Sequence, residues 1–141
     1  MDRTKYLDLY VEKFFLHRKM WEAEWAKTQD NGLSSNQAIM LMILNEKGPL
    51  QAKDFMGVLG LSSGGVTVIS DKLAELGFIR KTKDDRDRRA VNLEITERGR
   101  EKIPHLRQDW VQVMDTIFSP LTDAEVAMLA QLFGKLVDAQ S

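Results

Sequence analysis

The sequence contains no cysteine and only three prolines among its 141 residues. Without cysteine the chain can form no disulfide, no thiolate metal site and no thiol-based redox sensor, which suits a reducing cytoplasm. No apolar run approaches the roughly 20 residues needed to cross a bilayer, so we expect no membrane partner. The first fifteen residues mix acidic with apolar side chains and lack a small-residue cleavage site. We therefore expect no signal peptide and a cytoplasmic location.

Histidine is scarce as well, because only His17 and His105 are present. They fall on separate predicted helices, and neither has a second histidine or an acid at metal-ligand spacing. Catalysis needs titratable groups that converge in a cleft, and the sequence shows no such set. We therefore expect no catalytic residues, no metal and no cofactor, and an enzyme is the least favoured class. Length and composition predict one globular domain over residues 1–141.

Charge is balanced over the whole chain but not along it. The formal net charge is −1, which argues against a uniformly basic nucleic-acid binder. Residues 80–100 nevertheless hold eight basic and five acidic side chains, whereas residues 101–141 hold three basic and six acidic ones. The positive end of the molecule is therefore predicted around the stretch KDDRDRRA at residues 83–90.

Long helices are predicted at both ends of the chain. Apolar residues recur at helical spacing from about Arg3 to Lys27, and they recur again after Thr96, which is expected to cap a second long helix. A terminal helix opens with a capping box of Thr122 and Glu125. The first helix carries more apolar surface than one packing face needs, which predicts a partner surface, unless its aromatic residues are simply core.

Between these ends the sequence predicts a compact set of short elements. Ser34 and Gln37 form a capping box before a helix that is apolar all round. A short helix over residues 51–59 and a tight glycine turn lead to a helix that Ser62 caps and Gly77 ends, which is a helix-turn-helix pattern. The runs FIRKT and VNLEI then alternate with period two, which predicts a β-hairpin with one face on the core.

This order of elements resembles the MarR family of bacterial transcription regulators. The resemblance is carried by LGLSSGGVTVISDKLAELGFI, DDRDRRAVNLEITERGR and LTDAEVAML, and it covers nearly the whole chain. The hairpin with its trailing Leu-x-Ile-Thr-x-x-Gly is the most specific part, because charged tip, strand and helix cap coincide there. The resemblance implies a mainly α fold with a small β-hairpin wing. It places a winged helix-turn-helix at residues 34–96, flanked by long dimerisation helices at residues 1–30 and 97–141.

The resemblance also implies the partners of the chain. A homodimer with interdigitated N- and C-terminal helices would present two winged helices to a palindromic operator in double-stranded DNA, most simply as a repressor. The surplus of apolar surface on the long helices favours a dimer independently. A dimeric interaction module that does not bind DNA remains the alternative function.

The helix after Ser62 is predicted to enter the major groove by its first turns. Hydroxyls and free N–H groups suit phosphate oxygens, Thr67 suits a phosphate or a base edge, and Val68 offers an apolar contact to a thymine methyl. Many family members carry a basic side chain at the position of Val68, so we expect no strong guanine readout here. Gly64 should face outward, whereas the SSGG stretch can also be only a flexible turn. The residues expected to contact DNA are Ser62, Ser63, Gly64, Thr67, Val68 and Lys72.

The hairpin tip is predicted to place a guanidinium in the minor groove, where a narrow A·T-rich groove has enhanced negative potential. Asp87 is expected to hold Arg89 by a bidentate pair. By resemblance these two residues match the Asp-x-Arg wing motif of the family, with Arg89 as the minor-groove residue. A merely solvated turn is the alternative. The predicted wing residues are Arg86, Asp87, Arg88 and Arg89.

A small ligand is a further expectation from the resemblance. Family members often bind small aromatic or phenolic anions in the crevice between the dimer helices and the winged helix. His17, Trp21 and Trp110 are candidates for lining such a crevice, with simple packing as the equal alternative.

Overall fold

A computed structural model describes residues 2–28, 32–87 and 89–140. Arg88, which the sequence analysis predicts to be part of the wing, lies outside these ranges. The described residues form six helices and a three-stranded antiparallel sheet, so the predicted mainly α fold with a winged helix-turn-helix is confirmed. The elements are α1 Arg3–Ala26, α2 Ser35–Lys47, β1 Leu50–Gln51, α3 Lys53–Leu59, α4 Ser63–Glu75, β2 Ile79–Lys83, β3 Val91–Ile95, α5 Glu97–Ile117 and α6 Asp123–Gln140.

These elements form two compact units. The winged unit is the continuous stretch 25–109, and the terminal-helix unit combines residues 1–24 with residues 110–141. None of the helices in the described part of the chain combines the length and the apolarity that crossing a bilayer requires.

The core of the winged unit is built around α2. The predicted capping box is present: the Ser34 N–H donates to Gln37 Oε1 at 2.9 Å, and the Gln37 N–H donates to Ser34 Oγ at 3.2 Å. Met40, Leu41 and Leu44 are fully buried, as expected for a helix that is apolar all round. Burial of such side chains is the main stabilising contribution to a unit of this size.

The helix-turn-helix follows the local signals in the sequence. Gly60 adopts a left-handed backbone conformation with φ 64° after α3. Ser62 then caps α4, because its Oγ accepts the N–H of Gly65 at 3.2 Å. Val66, Ser70 and Leu73 are the buried residues of α4 and define its inward side.

The wing contains a strand that the sequence analysis missed. The predicted hairpin is formed by β2 and β3, but β1 pairs with the other edge of β3, with Leu50 opposite Leu93. The prediction of a helix from residue 51 is therefore wrong at its start. Gln51 lies in β1 and donates its N–H to Asp54 Oδ2 at 2.8 Å, so α3 begins at Lys53.

The root of the wing is closed by a tight contact with α5. Thr96 caps α5 as predicted, since the Gly99 N–H donates to Thr96 Oγ1 at 3.1 Å, and the Thr96 hydroxyl donates to the Gly77 carbonyl at 2.6 Å. Gly99 is buried, and a Cβ there would overlap the Phe78 carbonyl oxygen and lie 2.7 Å from Ile95 Cγ1. A hydrogen is the largest substituent that fits at this position.

The terminal-helix unit is held by aromatic contacts but leaves much apolar surface exposed. Tyr10 packs on Phe133 with ring centroids 6.2 Å apart. The predicted capping box of α6 is present, with the Thr122 N–H on Glu125 Oε1 at 3.0 Å and the Glu125 N–H on Thr122 Oγ1 at 3.2 Å. No described residue of α6 is buried.

Candidate nucleic-acid interface

The predicted contact residues of α4 lie together on its outward side. All six are exposed, while the buried residues Val66, Ser70 and Leu73 face the core. Val68 stands at the middle of the outward side, with 69% of its surface exposed. The exposed six are Ser62, Ser63, Gly64, Thr67, Val68 and Lys72.

Hydrogen bonds within α4 limit what its hydroxyl groups can do. The Thr67 hydroxyl donates to the Ser63 carbonyl at 2.9 Å, and Ser62 Oγ accepts the Gly65 N–H. Thr67 therefore presents a methyl group and oxygen lone pairs to the outside. Because phosphate oxygens are acceptors, Thr67 in this rotamer suits a base edge and not a phosphate.

The two glycines of α4 have different surroundings. A Cβ at Gly64 would meet nothing closer than Ser62 Oγ at 3.9 Å, so packing leaves this position open. A Cβ at Gly65 would lie 3.3 Å from the Leu61 Cβ, which is a tight contact. The outward direction expected for Gly64 agrees with this geometry.

Two acidic residues shape the wing tip through the backbone. Asp84 Oδ1 accepts the Arg86 N–H at 2.9 Å, and Asp87 Oδ1 accepts the Arg89 N–H at 3.0 Å. Each carboxylate thus closes a turn with the residue two positions on, as aspartate commonly does. The expected bidentate pair between the Asp87 and Arg89 side chains is not formed, because the local backbone bond takes the carboxylate.

The guanidinium groups of Arg86 and Arg89 point into solvent in this arrangement. Both residues are exposed, and no carboxylate in the described part of the chain forms an ion pair with either. Arg88, the remaining predicted wing residue, lies outside the described residues. The described part of the tip therefore carries two exposed guanidinium groups without an ion-pair partner, beside two aspartates that accept backbone hydrogen bonds.

Two ion pairs at the base of the wing were missed by the sequence analysis. Arg80 lies directly opposite Glu94 in the β2–β3 register, and its Nη2 and Nε contact the two carboxylate oxygens at 3.0 and 3.4 Å. The hydrogen bond from Arg80, together with its charge, lowers the pKa of Glu94. A prediction of the register between the two strands of the hairpin would have placed Arg80 opposite Glu94, and side chains that face each other across a hairpin interact.

The second ion pair joins the wing to α4. The Lys81 ammonium on β2 contacts the Asp71 carboxylate on α4. These pairs neutralise two basic side chains at the base of the wing. The exposed Arg86 and Arg89 at the tip have no such partner among the described residues, and a phosphate backbone would attract them.

The three residues proposed for a ligand crevice occupy the terminal-helix unit, but only two are brought together. Trp21 and Trp110 meet edge to face with ring centroids 5.1 Å apart. His17 lies beside the end of α5 instead, with Nε2 3.3 Å from the Ile117 carbonyl oxygen and its ring 4.9 Å from Phe118. The buried indole N–H of Trp21 has no hydrogen-bond partner among the described residues. Over the same residues no cluster of three histidines or acids could hold a metal ion.

Comparison with known proteins agrees with this geometry. The model of the MarR family matches residues 33–91, from before α2 to the start of β3. The uncharacterized HTH-type transcriptional regulator YpoP of Bacillus subtilis is 35% identical over 107 residues, which cover 76% of this chain and 76% of YpoP. The HTH-type transcriptional repressor MdtR of the same organism is 24% identical over 132 residues, covering 94% of this chain and 85% of MdtR.

Solved structures share the fold. A mutant MarR from E. coli complexed with operator DNA matches with a TM-score of 0.82 at 18% identity, covering 96% of this chain and 99% of that one. BpsR of Bordetella bronchiseptica, whose DNA binding is regulated by 6-hydroxynicotinic acid, matches with a TM-score of 0.81 at 20% identity. The match covers 90% of this chain and 91% of BpsR. The chain belongs to the MarR family, and it is a transcription regulator and not an enzyme.

Proposed function

We propose that this regulator is a homodimeric, cytoplasmic repressor that binds a palindromic operator in double-stranded DNA. The observation that carries the proposal is the winged unit itself, which has an exposed α4 face, a wing tip with two arginines that form no ion pair with a described residue, and a Lys81–Asp71 ion pair between the base of the wing and α4. Support for repression comes from MdtR, which is named a repressor. The operator complex of the E. coli protein of the same fold supports the DNA target.

The two parts of the winged unit suit different features of DNA. An α-helix fits the major groove, where its outward side chains meet base edges. Exposed guanidinium groups suit the phosphate backbone and the narrow minor groove of A·T-rich sequence. We therefore assign Arg86 and Arg89 on the wing to positioning the protein on the DNA backbone and to sensing the width of the minor groove. We assign α4 to contacts with base edges.

The homodimer is supported by the apolar surface of the terminal-helix unit. A monomeric protein rarely leaves contiguous apolar patches of this kind exposed, and a second copy of the same surface is the simplest cover for them. Arg3, Tyr6, Leu7, Tyr10 and Leu136 also line an open groove of about 370 Å³ within the unit. The exposed large apolar residues include Tyr6, Leu7, Leu9, Tyr10, Val11, Phe14, Phe15, Leu16 and Met20 on α1, and Val126, Met128, Leu132, Leu136 and Val137 on α6.

An effector that releases the operator is part of the proposal. The unpartnered indole N–H of Trp21 beside Trp110 suits a small aromatic anion, which would stack on the rings and accept the hydrogen bond. Titration with benzoate or 6-hydroxynicotinic acid should quench tryptophan fluorescence and weaken DNA binding, and Trp21→Phe should reduce both effects. Unchanged fluorescence and DNA affinity with these compounds would contradict this assignment.

Selection of DNA by the intact protein from a random duplex library tests the function. A palindromic motif should be enriched, and its affinity should fall about 10³–10⁵-fold between 50 and 200 mM salt if six to ten phosphates are contacted. An unenriched pool, or binding that ignores salt, would contradict the proposal.

A further inference from the structure

The outward face of α4 is unusual for a helix that contacts bases. Its first two turns present no arginine, lysine, asparagine or glutamine, and the first basic residue of the helix is Lys72 in the last turn. Those four side chains make the bidentate hydrogen bonds that distinguish guanine and adenine in the major groove. The start of α4 therefore offers no such bidentate pair, and its exposed apolar groups are candidates for contacting bases.

Val68 supplies an apolar group at the centre of this face. Side chains on a helix lean toward the preceding turn, so Val68 lies over the positions three and four residues earlier, which are Gly65 and Gly64. Neither glycine has a side chain to cover it, and 69% of the Val68 surface is exposed. The valine methyl groups thus lie exposed over a shallow backbone surface on the N-terminal side of Val68.

The fold of the winged unit does not account for Val68 and Gly64. An exposed valine buries little apolar surface, and both residue types lower helix propensity relative to alanine. A Cβ at Gly64 would have room, since Ser62 Oγ at 3.9 Å is its nearest neighbour. Residues that weaken a helix without helping its packing are expected where another molecule must approach closely.

Building on the proposed function, we propose that Val68 recognises the C5-methyl group of a thymine in each operator half-site, with Gly64 allowing the helix to come close enough. The thymine methyl is the one apolar group on the major-groove edge of the base pairs, and an apolar side chain is its natural contact. Thr67 reinforces this contact, because its hydroxyl donates to the Ser63 carbonyl and its methyl is left for the groove. Methyl contacts then contribute to the recognition of the half-site under the first two turns.

Deoxyuridine separates this recognition from hydrogen bonding, because it lacks only the methyl group of thymidine. Each thymine position of the selected operator is replaced by deoxyuridine in turn, at the equivalent places of both half-sites. The affinity of the full-length protein for each duplex is then measured. One position should lose about fourfold in affinity per half-site, which corresponds to one buried methyl group. At that same position 5-methylcytosine should bind better than cytosine by a similar factor.

The protein side is tested by Val68→Ala. This variant should bind the thymine operator more weakly than wild type and should no longer distinguish thymine from uracil at that position. Val58→Ala is the matched control, since Val58 on α3 is 64% exposed and lies outside the α4 face. Circular dichroism should show that both variants are folded.

The experiments distinguish a failure of methyl recognition from a failure of the proposed regulator function. If a palindrome is selected but no half-site thymine is sensitive to its methyl group, or if Val68→Ala keeps that sensitivity, methyl recognition by Val68 is wrong and the regulator function stands. If no duplex is selected at all, both proposals are overturned.

Discussion

At the scale of single residues, the wing and α4 show how the same residue type serves different purposes. Asp84 and Asp87 use their carboxylates to close backbone turns, whereas Asp71 pairs with a lysine of the neighbouring strand. The turn-forming acids accept the backbone N–H groups of Arg86 and Arg89 and leave both guanidinium groups without an ion pair among the described residues. A fixed backbone turn reduces the conformational entropy that a segment loses on binding, which favours affinity.

Arg89→Ala should weaken operator binding by about 1–3 kcal/mol without changing the melting temperature, because the side chain is exposed and makes no ion pair with a described carboxylate. Arg107→Ala, at an exposed position of α5, is a control for loss of one positive charge. Asp87→Ala should cause a smaller loss, since it disorders the turn but keeps the arginine. Wild-type affinity for both wing variants would show that the hairpin tip is only a turn.

Three glycine-to-alanine variants should change the stability of the fold in different ways. Gly64→Ala should raise stability by up to about 1 kcal/mol and still weaken operator binding, because the position is open in the free protein. Gly65→Ala should be less favourable for folding, since its Cβ crowds Leu61. Gly99→Ala should lower the free energy of unfolding by about 1–3 kcal/mol or more, because its Cβ overlaps the Phe78 carbonyl. Thermal unfolding and duplex titration measure both properties, and a Gly64→Ala variant with full DNA affinity would contradict close approach.

At the scale of elements, local signals were predictable and non-local contacts were not. The capping boxes at Ser34 and Thr122 depend on residues three positions apart, so the sequence contains all the information they need. Strand β1 has only two residues, which is too short for any periodicity, and it exists because β3 offers an unpaired edge. The contact between Gly99 and Phe78 likewise joins two segments whose closeness only the folded chain defines.

The β2–β3 register has a consequence for acid stability. The hydrogen bond from Arg80 lowers the pKa of Glu94, so the stabilisation by this pair is present above the ordinary value of about 4.3 and is lost as pH falls through the lowered pKa. The melting temperature of Glu94→Gln should therefore fall less steeply than that of wild type when pH decreases below about 4.3. In an Arg80→Met background the same substitution should have little further effect, and equal slopes in wild type and Glu94→Gln would contradict the linkage.

At the scale of the whole molecule, the proposed dimer depends on the terminal-helix unit. Unfolding of a dimer is concentration-dependent, so tenfold dilution should destabilise the protein by about 1.4 kcal/mol. Leu132→Glu on α6 should yield a monomer in sedimentation, because it places a charge in the apolar surface proposed as the interface. Val58→Glu on α3 is the control and should leave the assembly unchanged. A folded wild-type monomer at micromolar concentration would exclude the two-half-site arrangement.

The division of the chain into two units also has a consequence for the order of synthesis. The winged unit is one continuous stretch, residues 25–109, whereas the terminal-helix unit needs both ends of the chain. During synthesis the winged unit therefore has every residue of its own core before α6 is added, whereas the apolar surface of α1 must remain without α6 until then. The nascent regulator can thus fold the unit proposed to contact DNA first and the surface proposed for the dimer last.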